Sequence, residues 1–471
     1  MRLGADVTAD EKVWLHVDGS TLRDRSGREV RPRGVGLGGW LNMENFITGY
    51  PGSETFHRRA LRRVLVEERY GRLFDGLLGS VFGADDAAFI ASLGMNMVRI
   101  PVNYRHLQDD LDPSRILPGA FEHLDRAVRA CAEQGLWTVI DLHALPGSQN
   151  HFWHSDNRFH APLLWEHRDF QDRTVAVWEA IAEHYRDEPW VAGYNLINEP
   201  ADEQVTRLVA LHARLVDAIR RIDAHHILFL DGNRYAREFD GFGEPVVNAV
   251  YAVHQYPAPG SITGGPYPGT TAGHYWDEKT VRKELEGFTE YHRAHGVPGW
   301  IGEFGPVYPG DPARDAQHRA LLADQLALYE SEGLGWSLWT YKDIGLQGLV
   351  CADPDSPWMQ RTADVRAKKD RLGIASWGSS PEGIQDVLAP LARRFEREFP
   401  AYDPYPFGVD QHIGLLVRQI LLAEPLVEEF AGALAGASDS ELDALGASFA
   451  FANCRKNEAL CLVISSACRP T

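Results

Sequence analysis

Residues 191–200 read VAGYNLINEP, an apolar run that stops abruptly on an asparagine, a glutamate and a proline. The run has the length and the apolar content of a buried β-strand. A carboxylate that follows such a strand directly lies at the strand's carboxyl end. The stretch therefore predicts a buried strand with a functional carboxylic acid, Glu199, at its carboxyl end.

Seven further β-rich runs occur along the chain, and helix-like segments separate them. In chain order the eight runs are RGVGLGGW at 33–40, NMVRIPV at 96–102, LWTVIDLH at 136–143, VAGYNLINEP at 191–200, ILFLDGN at 227–233, VVNAVYAVHQY at 246–256, GWIGEFG at 299–305 and GWSLWTY at 335–341. Amphipathic helical patterns start near Phe121 and Asp172, and a third is closed by Gly333. Eight strands that alternate with helices predict an α/β fold of the (β/α)8 TIM-barrel type.

The segments outside this alternation predict two additions to the barrel. Residues 1–30 contain a β-hairpin around Asp18-Gly19 that is expected to cap the floor of the barrel, which spans 31–360. Residues 361–471 hold several amphipathic helical stretches, and Pro425 is expected to end or kink one of them. We expect this helical carboxyl-terminal extension to pack against the barrel.

Composition restricts the class of protein. The chain has 471 residues and a formal charge of -19, and such an acidic balance argues against nucleic-acid partners. No segment approaches the ~18 uninterrupted apolar residues that span a bilayer, so no membrane association is predicted. The first residues lack the pattern of a signal peptide, and five cysteines do not make a disulfide framework. A cytoplasmic location with free thiols is expected.

Polar residues at the ends of the predicted strands indicate the chemistry. The carboxyl ends of all strands of a TIM barrel face one mouth, where active sites are built. Glu199 and Glu303 end the fourth and seventh strands, which lie on opposite sides of that mouth. Cleavage of a glycosidic bond needs one carboxylic acid that protonates the leaving oxygen and one carboxylate that attacks or assists at the anomeric carbon. The pair therefore predicts a sugar-cleaving site.

The chain resembles glycoside hydrolase family 5 at the positions that carry this chemistry. The family's acid/base motif matches Asn198-Glu199-Pro200, and its nucleophile motif matches Gly302-Glu303-Phe304-Gly305. Further family positions match Arg99 in the second strand, His143 after the third, the pair His254 and Tyr256, and Trp339 in the eighth. The opening RGVGLGGWLNMENFI and the stretch HALPGSQNHF are similar to the exo-β-1,3-glucanase branch, and they place Glu44 and Asn150 among the sugar-binding residues.

The resemblance implies a retaining β-glycoside hydrolase that acts from the chain end on β-glucosides, short β-glucans or glycoconjugates, without a cofactor or metal. Glu303 is the expected nucleophile, kept ionised by Arg99 and Tyr256. Glu199 is the expected acid/base, with a pKa raised by apolar surroundings and by the charge of Glu303. The expected sugar-binding residues are Glu44, Arg99, His143, Asn150, Asn198, His254, Tyr256 and Trp339, with Trp153 as a weaker candidate.

Several alternatives fit parts of the same pattern. A transglycosylase shares the covalent intermediate, and a β-mannosidase or diglycosidase shares the family. From other classes, a non-catalytic carbohydrate-binding barrel tolerates loss of either glutamate, and a metal-dependent barrel hydrolase uses His143 and His254. The stretch HFWHSDN also offers His151 and His154 as a metal pair, without an obvious third ligand.

Overall fold

A computed structural model describes residues 14–262, 264–375 and 377–469. The strands are β1 (His16–Asp18), β2 (Thr21–Arg23), β3 (Arg33–Gly36), β4 (Met97–Asn103), β5 (Trp137–Ala144), β6 (Val191–Asn195), β7 (Ile227–Asp231), β8 (Ala249–Gln255), β9 (Gly269–Thr271), β10 (His274–Trp276), β11 (Gly299–Phe304), β12 (Gly335–Leu338), β13 (Lys342–Asp343), β14 (Val350–Ala352) and β15 (Cys454–Lys456).

Helices lie between the strands and make up most of the carboxyl-terminal part. They are α1 (Asn45–Thr48), α2 (Glu54–Ser80), α3 (Ala84–Ser92), α4 (Glu122–Glu133), α5 (Arg168–Tyr185), α6 (Thr206–Arg220), α7 (Asn233–Ala236), α8 (Glu278–Phe288), α9 (Glu290–His295), α10 (Pro312–Ser331), α11 (Pro357–Arg361), α12 (Ala363–Arg371), α13 (Gln385–Glu398), α14 (Val409–Leu415), α15 (Ala423–Ala433), α16 (Asp439–Gly446) and α17 (Glu458–Ala467). Within the described residues, no helix is both long enough and apolar enough to cross a bilayer.

Eight of the strands close into a parallel barrel in the order β11-β12-β3-β4-β5-β6-β7-β8. Each of the eight predicted runs supplies one of these strands, so the predicted TIM barrel is confirmed. Almost every strand residue is buried, because the barrel interior covers one face and the surrounding helices cover the other. On α6, for example, Leu208, Leu211, Leu215 and Ile219 form the buried stripe.

The amino-terminal hairpin lies under the barrel. Its strands β1 and β2 pair antiparallel, and Gly19 in the turn has φ +59°, a conformation that glycine adopts at little cost. Leu15 and Leu22 pack with Trp137 and Trp300, which come from the amino-terminal halves of barrel strands. The hairpin thus covers the amino-terminal end of the barrel with apolar side chains, and the carboxyl ends of the strands form the open end.

The carboxyl-terminal part packs along one side of the barrel. Helices α15 and α16 pack on the long helix α2, and α17 packs on α10. The segment also contains one strand, β15, which pairs antiparallel with β14. The expected helical extension is thus helical apart from one strand that adds to a small sheet beside the barrel.

Lys342 connects the carboxyl-terminal extension to the segment between β3 and β4. Its side chain is 2% exposed, and Nζ donates to Asp86 Oδ1 and to the carbonyl oxygens of Val81 and Phe449 at 2.7, 2.7 and 2.8 Å. Phe449 belongs to the extension, whereas Val81 and Asp86 precede β4. All three ammonium hydrogens are therefore used, and the buried charge is paired.

We expect Lys342→Met to lower stability by about 3–5 kcal/mol, because the change leaves the Asp86 carboxylate buried without its cation. Urea unfolding followed by circular dichroism measures the loss. The double variant Lys342→Met/Asp86→Asn should recover part of it. Lys368→Ala is the matched control, because the Lys368–Glu429 pair is exposed at the surface and its loss should cost at most about 1 kcal/mol. Equal effects of the two lysine changes would contradict the structural role of Lys342.

Candidate active site

Arg99 is the buried centre of the barrel mouth. Its guanidinium forms an ion pair with Glu303 and lies 3.1 Å from Asp141 Oδ2. Nε and Nη2 donate to Asn195 Oδ1 at 3.1 and 3.0 Å, and Nη2 donates to Asn198 Oδ1 at 2.6 Å. Burial lowers the pKa of Arg99, but the surrounding carboxylates outweigh burial and raise it, so that the group stays a cation.

Glu303 is the last residue but one of β11, and donors engage both of its carboxylate oxygens. Oε1 accepts from Arg99 Nη1, and Oε2 accepts from the hydroxyl of Tyr256 at 3.0 Å. Burial is the main cause that raises the pKa of Tyr256 well above its ordinary value, and the charge of Glu303 adds to it. The phenol therefore remains a donor. Two donors, one on each oxygen, hold the carboxylate in a single orientation.

Glu199 is held by its backbone as well as by its side chain. Its φ is +46°, which is unusual for a residue with a side chain, and its N–H donates to Asp231 Oδ2 at 2.9 Å. Two imidazoles cover the carboxylate: His254 Nδ1 lies 2.8 Å from Oε1, and His154 Nε2 lies 3.1 Å from Oε2. A strained conformation fixed by several contacts is typical of functional positions.

The expectation that the surroundings raise the pKa of Glu199 is wrong. Burial is the largest influence and raises this pKa as expected. Hydrogen bonds and positive charge from His154 and His254 outweigh burial, however, and bring the pKa of Glu199 well below its ordinary value. The two histidines lie 45 residues before and 55 residues after Glu199 in the sequence, so their convergence is visible only in the fold.

The two glutamates face each other across His254. One carboxylate oxygen of each and one ring nitrogen of His254 all lie within 4.8 Å of one another. His254 Nδ1 is 3.6 Å from Glu303 Oε2 and His254 Nε2 is 3.6 Å from Asp231 Oδ2. Burial lowers the pKa of His254, but the charge of Glu303 and the contacts to Glu199 and Asp231 outweigh it and raise the pKa.

A second cluster lies next to the glutamate pair. His143 Nδ1 is 2.7 Å from Asp141 Oδ2, and His143 Nε2 is 3.5 Å from Glu44 Oε1. Burial opposes protonation of His143, but Asp141 is the main group that raises the pKa of His143, to about 10. Burial raises the pKa of Glu44. The ring of His143 stacks on Trp339 with centroids 5.5 Å apart and an angle of 5° between the planes.

These groups line a cavity of about 360 Å³ at the carboxyl end of the barrel. The lining residues are Glu44, Phe46, His143, Phe152, Trp153, His154, Glu199, Tyr235, Arg237, Tyr256, Ser261, Ile262, Glu303, Trp339, Trp377, Phe407 and Gln411. Six predicted residues thus lie on the wall, and so does Trp153. Trp153 Nε1 and Glu44 Oε1 are buried without a hydrogen-bond partner among the described residues, as expected of groups that bind a ligand.

The other predicted residues lie behind this wall. Arg99 contacts Glu303 on the wall, and His254 contacts Glu199. Asn198 accepts from Arg99. Asn150 is fully buried, and its amide bonds to the backbone of Phe152 and Glu199. A direct contact of Asn150 with a ligand therefore stays a prediction that the geometry does not favour.

Sequence reasoning missed the part of the wall that the extension supplies. Trp377, Phe407 and Gln411 all follow the last barrel strand, and Trp377 packs edge-on against Tyr256 with centroids 5.1 Å apart. It also missed His154 as a partner of Glu199. The only signal available was the aromatic and histidine-rich stretch that follows Asn150.

The metal alternatives are not supported by the placement of the histidines. His154 contacts Glu199, whereas the ring of His151 packs on His160 with centroids 5.1 Å apart. In residues 14–469, with 263 and 376 left aside, the one group of three potential ligands that converge is Glu199, His254 and Glu303. That group lacks His143, which the metal-dependent alternative requires.

Comparison with known proteins extends the assignment. The family model described as Cellulase (glycosyl hydrolase family 5) matches residues 80–345. A β-xylosidase of Phanerodontia chrysosporium is 44% identical over 470 residues, which cover 96% of this chain and 98% of that protein. A probable glucan 1,3-β-glucosidase A of Aspergillus fumigatus is 30% identical over 68% of this chain and 85% of its own length.

Solved structures share the fold at lower identity. Endoglucanase Cel5A of Thermotoga maritima covers 68% of this chain and 91% of its own, with 18% identity and a TM-score of 0.50. An endogalactoceramidase covers 74% of this chain and 77% of its own, with 16% identity and a TM-score of 0.52. With the family model and the curated relatives, the conclusion is direct: the chain belongs to glycoside hydrolase family 5, and it is a glycosidase that hydrolyses glycosidic bonds.

Proposed function

We propose that this protein is a retaining, exo-acting β-glycosidase that removes single sugars from short β-glycosides. The observation that carries the proposal is the approach of Glu199 and Glu303 in the cavity, where one oxygen of each lies within 4.8 Å of the other. Retaining glycosidases keep their carboxyl groups about 5–5.5 Å apart, whereas inverting enzymes need about 6.5–9.5 Å to admit a water molecule. The short separation favours a double displacement.

In the first step, a Glu303 oxygen attacks the anomeric carbon and forms a glycosyl ester. The bond between this carbon and the leaving oxygen breaks, and Glu199 transfers its proton to that oxygen. Arg99 and Tyr256 favour the ionised nucleophile before the attack. The contact of Asn198 with the sugar's 2-hydroxyl stays a prediction, because Asn198 lies behind the cavity wall, where its Oδ1 accepts from Arg99 Nη2 at 2.6 Å.

In the second step, Glu199 takes a proton from water while the water oxygen attacks the anomeric carbon. The ester bond to Glu303 breaks, and the sugar leaves with its original anomeric configuration. Glu199 is then protonated again. Loss of negative charge on Glu303 in the intermediate helps Glu199 to ionise between the steps.

The shape of the cavity supports action at a chain end. Trp377 and Phe46 pack edge to face with centroids 6.3 Å apart, and Trp377 also packs on Tyr256, which contacts the nucleophile. These three rings enclose the part of the cavity that lies next to Glu303. On the acid side, Tyr235 and Phe407 stack with centroids 5.1 Å apart and line the path of a leaving group.

The relatives suggest which sugars to examine. The relative that matches nearly the whole chain carries the name β-xylosidase, and the one that matches two thirds of it is named a probable glucan 1,3-β-glucosidase. We propose β-xylosides and β-glucosides as the substrates of the enzyme. Glu44 and Trp153, whose buried polar atoms lack partners, are proposed to bind the hydroxyls of the terminal sugar.

We expect Glu303→Gln to lower kcat on aryl β-glycosides by about 10⁴-fold or more, because the nucleophile is lost. Glu199→Gln should lower kcat/KM by about 10²–10⁴-fold on a phenyl glycoside but far less on a dinitrophenyl glycoside, whose leaving group needs no proton. Steady-state kinetics measure both effects, and NMR of the first product should show the β-anomer. A first product with the α-configuration would refute the retaining mechanism.

We expect Trp377→Ala to lower kcat/KM on a monosaccharide aryl glycoside by about tenfold, which corresponds to about 1.4 kcal/mol of lost aromatic contact. Chromatography of products from xylo- and gluco-oligosaccharides should show single sugars from the wild type and some internal cleavage from the variant. Phe399→Ala, which changes an aromatic residue of the extension that is 57% exposed, is the matched control and should have no effect. Early internal cleavage by the wild type would contradict exo-action.

A further inference from the structure

Arg237 is a cation in the cavity wall that has neither an ion pair nor a hydrogen bond among the described residues. Its side chain is half-buried, and Nε is buried without a partner. It is also the one arginine or lysine among the described residues that line the cavity. The chain has 66 acidic residues, so the missing partner does not reflect a shortage of carboxylates. A half-buried guanidinium with unused donors is costly unless a ligand binds it.

The neighbouring side chains do not act as counterions of Arg237. The centroid of the Phe288 ring lies 5.9 Å from the guanidinium carbon, at the outer limit of a cation–π contact. Burial raises the pKa of Glu284 in spite of the charge of Arg237, and this carboxylate forms no ion pair with the guanidinium. Arg234, three residues earlier, shows the ordinary arrangement, since it is exposed and pairs with Glu238 at 3.1 Å. The donors of Arg237 are therefore available to a ligand.

Arg237 lies on the side of the cavity where the leaving group departs. It directly follows α7, which carries Tyr235. The ring of Tyr235 packs edge-on against His154 with centroids 6.4 Å apart, and His154 Nε2 lies 3.1 Å from Glu199 Oε2. Tyr235 also stacks with Phe407, with centroids 5.1 Å apart and a 25° angle between the planes. A leaving group that takes its proton from Glu199 therefore lies beside these rings, with Arg237 in the same part of the wall.

We propose that Arg237 determines specificity for leaving groups that carry a carboxylate. The inference rests on the proposed function, because it concerns the group that the glycosidase releases. A guanidinium binds a carboxylate through two parallel hydrogen bonds, and aromatic rings bind the flat or apolar face of another ring. Two kinds of leaving group combine these features. One is an aromatic acid whose phenolic oxygen carries the sugar, and the other is a sugar acid.

The charge of the cavity wall favours a single carboxylate over a more highly charged group. Glu44, Glu199 and Glu303 also line the cavity, and their negative charge repels an anionic substrate. Arg237 offsets this repulsion on the leaving-group side. A phosphate ester carries about 1.5–2 negative charges at neutral pH and is repelled more strongly than a carboxylate. The wall therefore fits a leaving group with one negative charge.

The test compares kcat/KM for the 3- and 4-carboxyphenyl β-glycosides with kcat/KM for the matching carbamoylphenyl β-glycosides, in the wild type and in Arg237→Met. The sugar is xylose or glucose, whichever the enzyme releases faster. The amide keeps the size and shape of the carboxylate but carries no charge. On the better carboxylate, the variant should lower kcat/KM about 10- to 100-fold, and on its amide by about threefold at most, because a charge-assisted pair is lost. Comparison between the two enzymes cancels the different reactivity of the leaving groups.

Arg221→Met is the matched control. Arg221 follows α6, is exposed, forms an ion pair with Glu179 at 3.4 Å and does not line the cavity, so the ratio of the two rates should equal that of the wild type. Arg237→Lys keeps the charge without the planar fork and should retain part of the preference for the carboxylate. Added salt should reduce the wild-type preference and leave that of Arg237→Met unchanged.

A pair of disaccharides separates the two kinds of leaving group. The pair consists of the same sugar linked β to glucuronate or to glucose. A loss in Arg237→Met that is confined to the carboxyphenyl glycoside supports an aromatic acid, and a loss confined to the glucuronate disaccharide supports a sugar acid. Equal losses on the charged and neutral members of both pairs, or no loss on any of them, would overturn the inference, since Arg237 would then be structural.

Failure of the proposed function gives a different result. A wild type that cleaves none of these β-glycosides refutes the proposed function. Calorimetric titration with 4-hydroxybenzoate and 4-hydroxybenzamide does not need turnover and still tests the carboxylate site. Tighter binding of the benzoate that is lost in Arg237→Met supports the site, and equal binding of the two compounds contradicts it. If Arg237→Met does not fold, Arg237→Gln tests the same loss of charge.

Discussion

The buried guanidinium of Arg99 is the group on which the rest of the mouth depends. A cation without any exposed surface is tolerated only if carboxylates and hydrogen-bond acceptors surround it, because the cost of removing it from water is large. Asp141, Asn195, Asn198 and Glu303 meet that requirement and come from three other strands or their ends. One desolvated charge thus fixes the position of Glu303 and of Asn198, the residue before Glu199.

Positive and negative groups alternate from Arg99 outward. His143 lies between Asp141 and Glu44, and His254 lies between Glu199, Glu303 and Asp231. Both imidazoles therefore contact carboxylates, whereas Glu44 Oε1 has no hydrogen-bond partner among the described residues. In a buried network of this kind, removal of one member leaves its partners without hydrogen bonds and is therefore costly. The close contacts also mean that the protonation of any one member depends on its neighbours.

The cavity is shaped mainly by segments outside the barrel strands. Phe46 comes from α1, Phe152 and His154 from the loop after β5, and Trp377 and Phe407 from the extension. The barrel strands supply the charged groups at the bottom of the cavity. The surrounding loops and the extension supply its aromatic walls. The extension contacts the barrel through Lys342 and through the helices that pack on α2 and α10. Its rings Trp377 and Phe407 pack on Tyr256 and Tyr235 of the cavity wall.

The sequence by itself determined the barrel and the identity of its two facing acids. Eight apolar runs that alternate with helices favour a closed parallel barrel over an open sheet, and the periodicity of such runs is a local property of the residues themselves. Glu199, Glu303, Arg99 and Tyr256 could be identified because strand ends of a barrel share one face. Only the tertiary structure decided which imidazoles contact Glu199, what Asn150 contacts, and that residues after the last strand line the cavity. These facts depend on distances between segments that are far apart in the chain, and no local pattern of residues encodes such distances.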